Sequence, residues 1–362
     1  MAINYAMKYA RQVDERFKKQ SLTDAWTESD YDFIGVKTVR VYNVDTVPLT
    51  DYNRTGTDRY GTPVELQDSY QEMNLSRDRA FSFTVDKGND TDQLGVKAVA
   101  RTLRRQIDER IVPELDTYRL STWSQLAGSG AAIASEPTKS TIVGMLLTGA
   151  TALDNALVPD DGRAVFLPAT YFNLLRQASD FQYLDSVAGD ALVKGVMGEI
   201  AGMKIVKVPD IYMPEGLYFM IMRKGSAFAP VKLQEYKTHI NPPGINGALV
   251  EGRIYYDAFV FSQKSRGIYI GAASNSLCAA PEIAYTGQTT DTIAITSDTA
   301  GATIRYTVDG TEPKFSPTAA AYTAPISTAG WADGTYTVRA YASKPGMLGS
   351  VVTTEEITVT SA

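Results

Sequence analysis

Residues 198–222, GEIAGMKIVKVPDIYMPEGLYFMIM, decide how the chain is read. Gly198 and Gly202 punctuate an apolar strand, Pro209 and Pro214 fall in a loop, and residues 217–222 form a strongly apolar run that reads as a further strand. Upstream, RAVFLPATYFNLLR (163–176) reads as a buried strand followed by a helix opening after Pro168. Downstream, EGRIYYDAFVFSQKSRGIYIGA (251–272) supplies two strands around a turn from Gln263 to Arg266. Strands and helices interleave without a strict βαβ rhythm, so the body is α+β.

Before this body the pattern is more extended. VKTVRVYNV (36–44) and MNLSRDRAFSFTV (73–85) read as the two sides of a long hairpin, with Met73, Leu75, Phe81, Phe83 and Val85 on one parity of the second side. Between them, residues 45–68 are rich in Pro, Gly, Thr and Asp, too polar for a core and too long for an ordinary connection. Such an arm cannot bury both faces alone, and its edges invite pairing with another chain. Residues 1–20 place Ile3, Met7, Ala10, Val13 and Phe17 at helical spacing. Two readings of that amphipathic stripe stand: docking on its own domain, or reaching along a neighbour. Residues 93–127 read as a long helix with Val96, Val99, Leu103, Ile107 and Ile111 on one stripe, Arg104–Asp108 and Arg105–Glu109 pairs on the other, and an interruption or kink at Pro113. AGSGAAIASEPTKS (127–140) reads as a loop, with Ser140 or Thr138 capping a further helix through Leu157.

Composition changes after ASNSLCAAPE (273–282), which reads as a linker. Thr becomes abundant and short strands recur between turn signals, as in a β-sandwich. In TIRYTVDGTEP (303–313), Ile304, Tyr306 and Val308 share one face and Asp309-Gly310 supplies the positive-φ position of a tight turn. Tyr336, Val338, Ala340 and Ala342 repeat the alternation later. The separate pattern and the Pro-bounded linker predict an autonomous folding unit.

The net charge is −6 over 362 residues. From Pro281 onward eight acidic residues face four basic ones, so the tail carries −4 and the first 280 residues −2. Proteins that grip nucleic acid show a basic excess, because phosphate neutralisation drives that binding; tight DNA binding is excluded on this ground. The N-terminus has no apolar core of a signal peptide, and no run approaches membrane-spanning length. The single cysteine, Cys278, has no intrachain disulfide partner and fits a reducing compartment.

Catalytic patterns are missing. His239, the only histidine, lies beside a Pro-Pro turn and reads as a loop residue; there is no second histidine for a metal pair and no G-x-S-x-G elbow. GSGAAI (128–133) lacks the third glycine of a dinucleotide fingerprint, and no G-x-x-x-x-G-K occurs. The carboxylate pairs Asp30/Asp32 and Asp160/Asp161 read as solvated turn residues, not as a glycosidase pair. No catalytic, cofactor-binding or metal-binding residue is assigned.

The order of parts, with GEIAGMKIVKVPDI (198–211) and GRIYYDAFVFSQKSRGIY (252–269), resembles tailed-phage major capsid proteins of the Hong Kong 97 type over about residues 1–272. The resemblance implies an N-terminal arm (1–30), an extended hairpin loop leading into a peripheral domain (31–88), a spine helix (89–136), an axial domain (137–230) and returning peripheral strands (231–272). ATIRYTVDGTEP, GTYTVRAYASKPG and LGSVV resemble the immunoglobulin-like C-terminal module of chitobiase and β-hexosaminidase type enzymes, over 282–362 after a 273–281 linker. Together they imply a shell protein assembling with itself as pentamers and hexamers around packaged double-stranded DNA that it encloses without gripping, with a separate scaffolding protein and a portal. The expected location is the virion, assembled in bacterial host cytoplasm and released by lysis, so that the module needs no export signal; no membrane partner is expected. The module would be exposed and adhesive for host-surface or mucus glycans, with Phe315, Tyr322, Trp331 and Tyr341 as the candidate stacking aromatics. The alternatives are an encapsulin-like compartment shell, and a glycan-binding or sugar-acting protein.

Overall fold

Alternate residues of β5 (Arg163–Pro168), β8 (Leu217–Arg223) and β13 (Ile268–Ala273) point to opposite sides of one sheet, and both sides are covered. The computed structural model describes residues 21–27, 38–44, 49, 51–55, 59–60, 68–87, 99–178, 196–286 and 292–360. The amphipathic stretch 1–20 and the Asp30/Asp32 pair lie outside these residues. The central sheet runs β4-β13-β8-β5-β7-β6, with β4 at Ser129–Ile133, β6 at Val196–Ile200 and β7 at Met203–Val208. The long helix is α1 (Val99–Gln106), a π-helical turn (Ile107–Ile111) and α2 (Val112–Gln125); α3 (Ile142–Asn155) and α4 (Ala169–Gln177) follow. On one side of the sheet Val165, Leu167, Phe219, Ile221 and Tyr269 pack under Leu146 and Leu153 of α3 and Phe172 of α4. On the other, Phe166, Met220, Met222 and Ile270 pack under Leu120 and Trp123 of α2 and under Trp26. A strand buried on both faces must be apolar at nearly every position, which is why 163–168 and 217–222 read so plainly.

Several sequence expectations need correction. The long helix runs on through Pro113 to Gln125, and a wider π-helical turn at Ile107–Ile111 comes just before the proline. Of the expected surface pairs, Arg105–Glu109 forms, at 2.9 Å. The 127–140 stretch is not all loop, because Ser129–Ile133 pairs in parallel with β13. A Cβ on Gly130 would lie 2.6 Å from the Ile270 side chain, so the small residues that resemble a loop are what admit this strand. Neither Thr138 nor Ser140 caps α3 through its side chain. The Thr138 carbonyl accepts the Ile142 N–H at 3.0 Å, and the helix ends at Asn155, before Leu157 at φ +56°.

The hairpin also differs. β1 (Thr38–Val44) pairs antiparallel with β2 (Asp68–Asn74), but the chain then turns at Leu75-Ser76, and β3 (Arg77–Asp86) leaves to join β11 (Gly247–Tyr256) and β10 (Val231–Ile240). The expected second side is thus two strands in two sheets. β11 and β13 do not flank one turn either. β11 belongs to this arm sheet, and the chain passes through β12 (Phe259–Val260), paired with β9 (Ala227–Phe228), and a short helical turn at Ser265–Gly267 before β13.

The C-terminal module is a sandwich of β14-β15-β18 (Glu282–Thr286, Thr292–Thr296, Ile326–Ser327) on β17-β16-β19-β20 (Ala320–Ala321, Thr303–Thr307, Gly334–Ser343, Thr353–Val359). Its core joins Ile293, Ile295, Val338, Ala340 and Ile357, flanked by Ile304, Tyr306 and Val308 as their alternation predicts. Gly310 has φ +74°, the turn conformation read from Asp-Gly. The 273–281 segment is not a free tether: Leu277 and Cys278 are buried, and Leu277 belongs to the core beneath the long helix.

Polar anchors fix the N-terminal segment to α2. The Asp116 carboxylate, buried, accepts the Ser21 hydroxyl at 2.7 Å, the Leu22 N–H at 2.9 Å and the Thr23 hydroxyl at 2.6 Å. Arg119, also buried, donates to Thr23 at 2.9 Å and pairs with Asp24. Asp116→Ala strands three donors at once and should lower unfolding free energy by about 3 kcal/mol in urea titrations. A loss near zero would show that water replaces the carboxylate freely.

Candidate functional site: an assembly surface and a docked module

The arm sheet has two unlike faces, set by strand parity. One carries Phe81, Phe83, Val85, Tyr236, Val250 and Ile254; Val250 and Ile254 are buried, and Phe81 lies 6.2 Å from Phe83 and 6.1 Å from Tyr236, ring centre to ring centre. Gly252 makes room for Phe81, since a Cβ there would come 2.2 Å from its ring. The other face is charged and internally paired. Arg253 grips Asp78 through two bonds of 2.9 and 2.6 Å, Lys237 stands 3.4 Å from Glu235, and His239 Nε2 is 3.2 Å from Glu251. His239 is therefore a strand residue of β10, not a loop residue, and its partner is a surface carboxylate.

At the root of the arm, Asp257 joins three segments. Its carboxylate accepts the Ser76 N–H at 2.7 Å and hydroxyl at 2.9 Å, the Tyr118 hydroxyl of α2 at 2.6 Å and the Ala258 N–H at 2.8 Å. Burial, then the bond to Asp257, hold the Tyr118 hydroxyl above the ordinary tyrosine range. The hairpin is tied nearby: Gln71 of β2 donates to the Val260 carbonyl at 2.9 Å and accepts the Ser262 N–H at 2.9 Å. Beyond this fixed root, the described part of the hairpin tip presents Leu49, Tyr52 and Tyr60 to solvent, with Leu49 102% and Tyr60 84% exposed and the two tyrosine rings 5.1 Å apart. A shallow groove of about 440 Å³ runs between the arm root and α2, floored by Tyr118, Tyr212 and Tyr256, with Ile211 exposed on its rim.

The four module aromatics are half-buried, and no two of them pack on each other. Tyr322 meets Tyr306 edge-on at 6.2 Å, Trp331 packs 4.7 Å from Tyr336, and both belong to the sandwich core. Tyr341 lies under the Lys314 ammonium at 5.8 Å, and Phe315 packs against the core of the body. Asp160 and Asp161 pair with Arg163 at 2.9 Å and Arg223 at 3.1 Å. Among the described residues no three His, Cys, Asp or Glu side chains gather as a metal site, and no helix is long and apolar enough to cross a membrane.

Charged residues beside the module junction went unread in the sequence. Lys314 Nζ donates to the Ala127 carbonyl, two residues past the end of α2, at 2.6 Å. Burial pushes the Lys314 amine down from 10.5 to about 8, against the pull of Glu312. Burial likewise pushes the Glu312 carboxyl up, opposed by Arg339, which it meets at 2.6 Å.

Solved structures share this fold. The capsid structure of cyanophage P-SCSP1u aligns at TM-score 0.60 with 15% identity, over 74% of this chain and 93% of that one. The mature capsid of bacteriophage PhiM1 aligns at 0.58 with 10% identity, over 75% and 93%. A chain of Mycobacterium phage Che8 aligns at 0.56 with 16% identity, over 74% and 97%. The chain has the phage-capsid fold, over a share equal to the length that precedes the module. The family model described as Fn3 associated matches residues 293–357, within the immunoglobulin-like sandwich. No curated protein sequence matches.

Lys314 yields a pH test. Between pH 8 and 10.5 the unfolded chain retains a proton that folded Lys314 has released, so this group makes stability rise with pH across that window. Lys314→Met should remove the rise. From pH 7.5 to 9.5 the wild type should gain about 1–2 kcal/mol relative to the variant in urea titrations. An unchanged difference between the two proteins would contradict it.

Proposed function

We propose that this chain is a major capsid protein, assembling as pentamers and hexamers into an icosahedral shell that encloses phage double-stranded DNA. The observation that carries the reading is the capsid fold over about three quarters of the chain, joined to an arm whose tip offers Leu49, Tyr52 and Tyr60 to solvent. A closed shell needs many modest heterologous contacts and no reactive centre. A projecting hairpin anchored at its root and apolar at its tip suits such a contact. The slight negative charge of the body suits a container, since a strongly basic wall would pin the packaged DNA. On this reading the chain is not an enzyme. It works with a separate scaffolding protein and a portal, is assembled in host cytoplasm, and ends in the virion.

The module, with its −4 charge, belongs on the outer surface, away from packaged DNA. There it would serve adhesion to host-surface or mucus glycans, weak per copy and multiplied by copy number. The aromatics proposed for sugar stacking are Phe315, Tyr322, Trp331 and Tyr341, each half-buried.

Electron microscopy of the purified protein should show closed icosahedral particles. A cargo enzyme in place of DNA within native particles would favour an encapsulin-like compartment. Replacing residues 46–66 by a short Gly-Ser turn should leave soluble subunits that form no shells; normal particles would sink the role given to the tip. No lysine lies between Thr38 and Asp86, so hairpin-to-neighbour amide cross-links are not expected. Shells should run as single chains on a hot denaturing detergent gel, and a ladder of covalent oligomers would contradict this.

A further inference from the structure

Met347, Leu348 and Gly349, in the loop between β19 and β20, are held on both sides. On one side the Leu348 N–H donates to the Ser276 carbonyl at 2.7 Å, and the Leu348 carbonyl accepts the Cys278 N–H at 2.9 Å, a one-residue parallel bridge with Leu277. On the other, the Gln125 amide at the end of α2 donates to the Met347 carbonyl at 3.2 Å and accepts the Gly349 N–H at 3.1 Å. An extended chain points alternate backbone groups to opposite edges, and here all four are taken. The Leu277 and Leu348 side chains, 5% and 2% exposed, enter the same core as Leu120, Trp123 and Leu217. Phe315 packs on that core, and Lys314 bonds the Ala127 carbonyl beyond the helix end. On the underside Gly216, at φ +77°, lets Ser276 approach; a Cβ there would meet its hydroxyl at 2.0 Å.

A pendant module would touch its carrier through a polar, loosely bonded surface. This junction instead has a continuous apolar core and a fully bonded strand. We propose that the C-terminal module is an internal clamp that closes the end of the long helix, so that body and module unfold as one unit and the body depends on the module for its stability. This replaces the sequence expectation of an autonomous appendage, and it stands apart from the shell assignment, because it concerns the single chain.

Cys278, the only thiol, is 2% exposed within the junction and reports its opening directly. With Trp331→Phe, both remaining tryptophans, Trp26 and Trp123, are residues of the body. In urea, iodoacetamide labelling of Cys278 and tryptophan fluorescence should then give the same midpoint. Gln125→Ala removes two hydrogen bonds and should speed native-state labelling roughly tenfold. Leu348→Ala should speed it roughly a hundredfold, and both variants should lower the tryptophan midpoint in step. Labelling of Cys278 well below the tryptophan midpoint, or either variant speeding labelling while the body midpoint stays fixed, would overturn the clamp. So would a chain ending at Ala273 that unfolds at the wild-type midpoint.

Discussion

Asp257 carries a carboxylate into the interior, 4% exposed, and three separate stretches of chain converge on it. A buried charge without partners costs several kcal/mol, so the fold keeps it only because four donors arrive together. Two donors come from Ser76, where the hairpin hands over to the arm sheet; one comes from Tyr118 of the long helix; one comes from the chain leaving β11. That convergence, together with the Tyr255 hydroxyl on the Leu75 carbonyl and with Tyr256 and Arg79 on Glu114, helps to set the angle between arm and helix. The polar group therefore specifies geometry, while the two apolar cores on either side of the sheet supply most of the driving force.

What was legible in the sequence follows from how many faces each segment buries. β5 and β8 are covered on both sides and must be apolar throughout, so they stood out without a partner being known. β4 has one short, small-residue edge in the sheet and is specified by Ile270, far away in the chain; no local pattern separates it from a loop. Pro113 was read as a break because a proline's local effect is certain, whereas the wide turn that accommodates it depends on packing. Asp257 did leave a signal: an acid inside IYYDAFVF, otherwise apolar, calls for donors brought from elsewhere. The module aromatics illustrate the opposite difficulty, since the residue types that stack on sugars also fill a small sandwich, and three of the four pack on rings or core within this chain.

Two glutamines use one device at distant places. Gln71 clasps the backbone at Val260 and Ser262, and Gln125 clasps it at Met347 and Gly349, each amide spanning a carbonyl and the N–H two residues on. A primary amide reproduces the donor and acceptor of a peptide group, so it completes a strand edge without needing a strand. In both cases a projecting element, hairpin or module, is fastened to the body by this substitution. A fold used for many purposes acquires its particular behaviour through such local fastenings.

The charged face of the arm sheet has a kinetic meaning. Arg253 with Asp78 and Lys237 with Glu235 are opposed charges paired within the chain, and His239 lies beside Glu251, so the face presents alternating charge. Long-range attraction speeds encounter only when one surface carries an excess of one sign. Opposed charges paired within the chain, as Arg253 with Asp78 and Lys237 with Glu235, add little to such attraction. Any molecule that met this face would be discriminated by the shape of the contact and by how quickly a poor one lets go, more than by those paired charges.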